Sequence, residues 1–346
     1  MRWVRAVVAF GLAGALVGVV PNGVAAVPAP ARCQPTAFVA NAGSNTVSAI
    51  DVKAKTRDPT DIAVGVAPVG PRVTPDGKTL FVTNRDSGTV STIDVKTRTK
   101  NPADIPVGTF PAGMAVTPNG KTVFVANGGS GTVSTIDVKT RTKTGTDIAV
   151  GSGAFGVETT PNGKTVFVTN LGSNTVSTID VKTKTKDPTD IAVGAQPLGL
   201  TVTPDGKTVY VGDNGSSSVS TIDVKTRTKD PTDIPVSAGP ASVIITPNGK
   251  TAFVTDLGPA PTPPVPERLG AISTIDVKTR TKNPTDITVG AQPGGVAVTP
   301  DGKTVLVANY GSDTVSTIDV KTGAKDPNDI PVGLVPVGVA VTPCRP

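Results

Sequence analysis

An Ile-Asp pair recurs through almost the whole chain, with its aspartates at Asp51, Asp94, Asp137, Asp180, Asp223, Asp276 and Asp319. Five of the six intervals are 43 residues and one is 53, the longer holding a Pro-rich insert at 259–268. A fixed period of this size means one supersecondary unit repeated, each copy able to bury its apolar faces only against its neighbours. Within 113–150, four strands are predicted at Met114–Thr117, Thr122–Ala126, Thr132–Val138 and Asp147–Val150, here called a to d. Pro118-Asn119-Gly120 supplies the a–b hairpin turn, where Asn-Gly adopts positive φ cheaply. Four strands per repeat are the content of a propeller blade. The expected fold is therefore all-β: a seven-bladed β-propeller of four-stranded antiparallel blades.

Composition agrees. The 346 residues hold 38 Gly and 33 Pro but only 3% aromatics, which suits short strands and tight turns over long helices. Strand d carries proline and charge, as in Lys186-Asp187-Pro188-Thr189-Asp190, which protects an outer edge from pairing with other chains.

The segments Phe81-Val82-Thr83-Asn84 and Phe167-Val168-Thr169-Asn170, the following Gly-Ser-x-Thr-Val-Ser, and Val-Gly-x-x-Pro-x-Gly resemble the YVTN family of β-propeller repeats found in bacterial and archaeal cell-surface proteins. The resemblance covers 36–343 and recurs seven times, with Phe or Leu mostly standing for the motif's Tyr. It implies a propeller outside the cytoplasm and no particular reaction.

Residues 1–31 read as an export signal: Arg2 and Arg5, an apolar run from Ala6 to Val20, and small residues at Val24-Ala25-Ala26 or Ala29-Pro30-Ala31 that place cleavage near 26 or 31. The 15-residue run falls short of the roughly 20 residues that cross a bilayer as a helix, so no transmembrane span is expected after cleavage. Residues 32–346 are then one secreted, monomeric propeller domain. Its first copy begins at strand b (Thr36–Asn41) and its last ends after strand a (Val339–Thr342), so one blade is shared between the termini. Aligning the halves sets Cys33 beside Cys344 where other blades have a hairpin turn, and export supplies an oxidising compartment for a disulfide.

The a–b and c–d turns share one propeller face and carry 26 of the 33 Lys and Arg. Lys96, Arg98, Lys100, Lys139, Arg141, Lys143, Lys225, Arg227, Lys229 and Arg280 are its candidate binding residues, either for an anionic polymer or as a solubilising rim interleaved with acids. The opposite face holds the b–c turns, whose Asn, Asp and Ser are expected to bond their own turn backbones, the apolar d–a turns, and the insert with Glu267. Along strand a, one channel-lining position reads Arg72, Ala115, Glu158, Thr201, Ile244, Ala297 and Ala340. Arg72 and Glu158 are expected to pair across the channel, since a lone buried charge is costly.

The chain contains no histidine, so the commonest general base and metal ligand is missing. Ser91, Ser134 and Ser177 recur without a base nearby, and no metal or cofactor motif is present. The expected function is a non-enzymatic binding or scaffold protein displaying loops to an unidentified protein, cell-wall or polyanionic partner, with no cofactor and no metal. The alternative is a propeller hydrolase of the lactonase type, for which only Arg72 and Glu158 qualify at the channel.

Overall fold

The computed structural model describes residues 34–344 apart from 238 and 259–268. The export segment 1–31, Cys33 and the Pro-rich insert with Glu267 lie outside the described residues.

Seven separate antiparallel sheets follow the seven repeats. Blade 1 joins Thr36–Asn41 and Thr46–Asp51 to the last strand, Pro336–Val341; blades 2 to 7 occupy 68–107, 111–150, 154–193, 197–236, 240–289 and 293–332. The only helical element among the described residues is one 3-10 turn, Asn214–Ser216. Observed strands in blade 3 are Pro111–Val116, Thr122–Asn127, Thr132–Asp137 and Thr142–Ala149, so strand a begins three residues before its expected start and strand d five. Strand a starts on proline because its first residue lies before a register shift, where no ladder N–H is needed.

Strand d is a single long strand in blade 3, with a register shift opposite 145–147, and in blade 7 it is Ile330–Pro331 with one isolated bridge at Lys325. In blades 1, 2, 4, 5 and 6 it is two short pieces that both pair with strand c, as Thr185–Lys186 and Ile191–Ala192 pair with Thr175–Asp180. Pro188 lies between those pieces and has no N–H for the ladder. Blade 3 has Thr144-Gly145 at the corresponding place and stays continuous.

Strands b are buried along nearly their whole length, because each is covered on both faces by neighbouring blades. Seven apolar clusters result, one per blade interface. Phe81, Val90 and Ile105 of blade 2 meet Met114, Val123, Val125 and Ile136 of blade 3, and Leu306, Ala308 and Val315 of blade 7 meet Ala37, Val39 and Ile50 of blade 1. The large apolar residue of strand b (Phe38, Phe81, Phe124, Phe167, Tyr210, Phe253, Leu306) anchors each interface. Tyr210 keeps its hydroxyl satisfied by donating to Val277 O at 3.1 Å.

The innermost strands touch one another in sequence and close a ring round the axis. Their third residue is Gly in six blades and Ser242 in the other, and the approach explains why: a Cβ at Gly113 would stand 2.5 Å from Phe155 O and one at Gly156 2.5 Å from Leu198 O. Closure uses blade 1, where Ala37 faces Val341, Phe38 faces Ala340 and Val39 faces Val339. Thr36 N donates to Thr342 Oγ1 and Thr342 N to Thr36 O, both at 2.9 Å. Cys344, just beyond, is disulfide-bonded.

Candidate functional site

The turns sort as the strand order requires. Each c–d turn is capped by its Ile-Asp carboxylate: Asp94 Oδ1 accepts from Thr97 N at 2.8 Å and from Thr97 Oγ1 at 3.0 Å, and the set repeats at Asp137, Asp180, Asp223, Asp276 and Asp319. These hydrogen bonds hold the carboxyls below the usual range, the backbone N–H first and the Thr hydroxyl second. The groups are turn caps, present in every repeat.

The basic-face candidates divide into three sets. Arg98, Arg227 and Arg280 reach back to Asp58, Asp187 and Asp230 on the preceding blade. Lys100, Lys143 and Lys229 pair within their own strand d with Asp104, Asp147 and Asp233 at 2.6–2.8 Å. Lys96, Lys139, Lys225 and Arg141 make no ion pair among the described residues. Three of the ten candidates therefore clamp neighbouring blades, and three more brace their own outer strand.

The b–c turns differ from expectation. Their serines accept from the d–a turn beside them, Ser87 Oγ from Val66 N at 2.7 Å and Ser312 Oγ from Ala291 N at 2.6 Å, instead of bonding their own turn. The asparagine that ends strand b points inward: Asn84 Nδ2 donates to Ser91 Oγ at 2.9 Å, and Ser91 Oγ donates to Asp104 Oδ1 at 2.8 Å. Ser134 and Ser177 stand in the same Asn-Ser-Asp relay. These serines do have a carboxylate partner, contrary to the sequence reading, but all three are fully buried and serve the fold.

The b–c and d–a turns surround the mouth of a cavity of about 650 Å³ on the propeller axis. Its wall is formed by strand a, through Val69, Met114, Phe155, Leu198, Val296 and Val337 among others, with Asn214, Ser242, Gln292 and Tyr310 adding polar atoms. Arg72 lines this cavity and also a smaller one of about 310 Å³ reached from the a–b face, which Glu158 lines. Arg72 and Glu158 meet across blade 3, whose equivalent residue is the small Ala115. Arg72 Nη2 lies 2.9 Å from Glu158 Oε2, and Arg72 Nε donates to Met114 O at 2.9 Å. Glu158 Oε1 also accepts from Thr159 N at 3.2 Å. Both side chains keep access to solvent, at 41% and 26% exposure, so the pair is a reachable divide between the two cavities. The turn carrying Tyr310 was expected on this face, but the cavity's polar sector as a whole was not singled out, because Asn214, Gln292 and Tyr310 stand at turn positions that vary from blade to blade and carry no repeat signal.

Residues 36–153 match the model of a family described as "Lactonase, 7-bladed beta-propeller". A search of curated proteins gives no match. Among solved structures, the chain resembles hydrazine synthase of Kuenenia stuttgartiensis at 25% identity and TM-score 0.70, covering 78% of this chain and 88% of that one. It also resembles the periplasmic gluconolactonase PpgL of Pseudomonas aeruginosa at 18% identity and TM-score 0.71, over 90% and 99% of the two chains. A third is a protein of Bacteroides fragilis titled as a candidate 6-phosphogluconolactonase, at 19% identity and TM-score 0.73 over 91% and 99%. The expectation of a non-enzymatic display scaffold is corrected by the lactonase match and by these lactonase-named neighbours. It rested on the missing histidine and serine constellations, which ester hydrolysis by a carboxylate and a guanidinium does not require. What the chain shares with all of these proteins is the seven-bladed propeller.

Proposed function

We propose that the protein is a hydrolase of the lactonase type whose site is the axial cavity. The observation that carries this reading is the reachable Arg72–Glu158 pair, 2.9 Å apart, in which Arg72 lines the axial cavity and Glu158 the smaller space beneath it, in a chain whose first blades match the propeller lactonase model. Glu158 acts as general base, taking a proton from a water that attacks the ring carbonyl carbon. Arg72 stands against the carbonyl oxygen and stabilises the negative charge that develops there. Its Nη1 hydrogens have no protein partner among the described residues, so a ligand oxygen is accepted without breaking the ion pair. The ring C–O bond then breaks, and the proton held by Glu158 passes to the leaving alkoxide, giving the open hydroxy acid.

On this reading the frame is of the YVTN type and the chain acts as a monomer outside the cytoplasm, which the repeat motifs and the export-like segment 1–31 support. The test is hydrolysis of δ-valerolactone and gluconolactone followed by proton release at constant pH. Glu158→Gln and Arg72→Ala are each expected to lower kcat/KM by roughly 10²- to 10³-fold with unfolding temperature little changed for Glu158→Gln. Wild-type rates in Glu158→Gln, or no rate above buffer for the unmodified protein, would overturn the assignment.

A further inference from the structure

Among the described residues Arg72 is the only charged side chain lining the 650 Å³ cavity, and it is already shared with Glu158. Tight phosphate sites use several charge-assisted donors, such as a bidentate arginine with a second cation or a helix N-terminus. Among the described residues one committed guanidinium lines this cavity, Arg85 on a b–c turn lies outside the lining over the Phe110 ring at 5.6 Å from its centroid, and no α-helix occurs. The lysines of the a–b turns, from Lys78 to Lys303, are on the opposite face and cannot serve the mouth.

The walls point the other way. The second residue of strand a is Val69, Phe155, Leu198 and Val337 in four of the blades that line the cavity, and Met114 and Leu200 lie next to them. Where the wall is not apolar it is almost bare: Ser242 and Gly294 stand at the corresponding stretch of blades 6 and 7, with Gln292 and Tyr310 near the rim. On the same face, the d–a turns that lead into blades 1, 2 and 3 expose Leu334, Val66 and Phe110 at 57%, 50% and 53%. Large apolar side chains left in water on a binding face mark a surface that a ligand covers. A cavity of this volume lies within the usual range for small-molecule sites of roughly 300–1,000 Å³.

Resting on the hydrolase reading, we propose that the site takes a neutral lactone bearing an alkyl or acyl substituent, in preference to a phosphorylated sugar lactone. The ring lies against Arg72 and the chain runs along the wall of Val337, Val69, Phe155 and Leu198 toward the apolar turns. Each methylene removed from water is worth about a fourfold gain, so a six-carbon chain is expected to raise kcat/KM by at least about 100-fold.

The experiment has two arms on the purified chain. The first compares hydrolysis of δ-undecalactone, δ-valerolactone and 6-phosphogluconolactone. The second measures, by calorimetry, binding of the δ-lactam analogue of δ-undecalactone, which is not hydrolysed, to the unmodified protein and to Leu198→Asn and Phe155→Ala. Preference for δ-undecalactone, with lactam binding weakened about tenfold in either variant, supports the proposal. Faster turnover of 6-phosphogluconolactone, no gain from the alkyl chain, or lactam binding untouched by both variants overturns it. If the lactam binds as described but no lactone is hydrolysed, the hydrolase reading fails and the ligand class stands; if lactones are hydrolysed but the lactam does not bind, the ligand class fails alone.

Discussion

Asp213 and Asp256 occupy the place that asparagine holds in the other five blades, and one atom changes the hydrogen count of a buried network. In an asparagine blade Nδ2 donates to the strand-c serine, which is then free to donate to the strand-d aspartate, as Asn127 to Ser134 to Asp147 at 2.9 and 2.7 Å. Ser220 Oγ lies 2.6 Å from Asp213 Oδ2 and 2.9 Å from Asp233 Oδ1, yet its hydroxyl has one hydrogen for two carboxylates. Ser273 is placed likewise between Asp256 and Asp286. Burial, opposed by the serine bond and reinforced by the facing aspartate, pushes Asp213 up to about 6 and Asp256 up to about 7. Protonation supplies the missing hydrogen. Because both values are raised above the unfolded one, the associated stability is present below about pH 4 and is lost as pH rises through 6 to 7, on the order of 3 kcal/mol per group. The double variant Asp213→Asn, Asp256→Asn is therefore expected to gain stability relative to the parent between pH 4.5 and 8. Urea midpoints at the two pH values decide it: an unchanged difference between the proteins would exclude buried titration at these positions.

At the scale of the element, the c–d turn and the outer strand act together. Arg98, Arg227, Arg280 and Lys55 all adopt left-handed φ of 56–58°, a conformation that costs a non-Gly residue about 1 kcal/mol or more. Each sends its cation to the preceding blade's strand d, to Asp58, Asp187, Asp230 and Asp326. Where that strand carries Asn283, the next turn has Gly323; Arg141, which follows Asn101, has the same φ and makes no ion pair among the described residues, though its charge helps to hold the Asp94 carboxyl down. Blade 3 departs from the rule in another way, with Lys184 Nζ on Thr144 Oγ1 at 2.9 Å and an unbroken strand d. Replacing Thr144-Gly145 by Asp-Pro is expected to split Thr142–Ala149 as in other blades while adding a Lys184 ion pair worth under about 1 kcal/mol. Hydrogen exchange checks this: position 144 is expected to keep its protection, as Asp187 N keeps its bond to Thr178 O at 2.8 Å in an Asp-Pro blade, with little change in global stability, and loss of protection there would refute the equivalence of the blades. The proline pattern was visible in the sequence as an edge signal, but its effect on strand continuity needed the pairing partners to be seen.

For the whole molecule the decisive contact is between the two ends. Blade 1 exists only because Pro336–Val341 pairs with Thr36–Asn41, and the Leu306–Ala37 interface exists only if it forms. Removing the disulfide at Cys344 by reduction or Cys344→Ser releases a constraint worth up to about 5 kcal/mol in the chain-entropy model. Thermal unfolding with and without reductant should show a lower transition, with amide exchange in Thr36–Asn41 accelerated before that of blades 3 to 5; uniform loss of protection would mean that the ring does not open at its seam. The repeat made the blade number, the seam and the turn caps readable, because each depends on local pattern and period. The cavity was only partly readable: Arg72 and Glu158 stood out as departures from the repeat, whereas Asn214, Gln292 and Tyr310 line one cavity only because the ring brings their turns round a common axis.

The sequence by itself determined seven equivalent units, since a period and an alternation of strand and turn leave the chain no other way to bury its faces. Only the tertiary structure decided that Arg72 and Glu158 meet at 2.9 Å at the divide between the two cavities, because their distance is set by the circumference of the ring and not by any spacing along the chain.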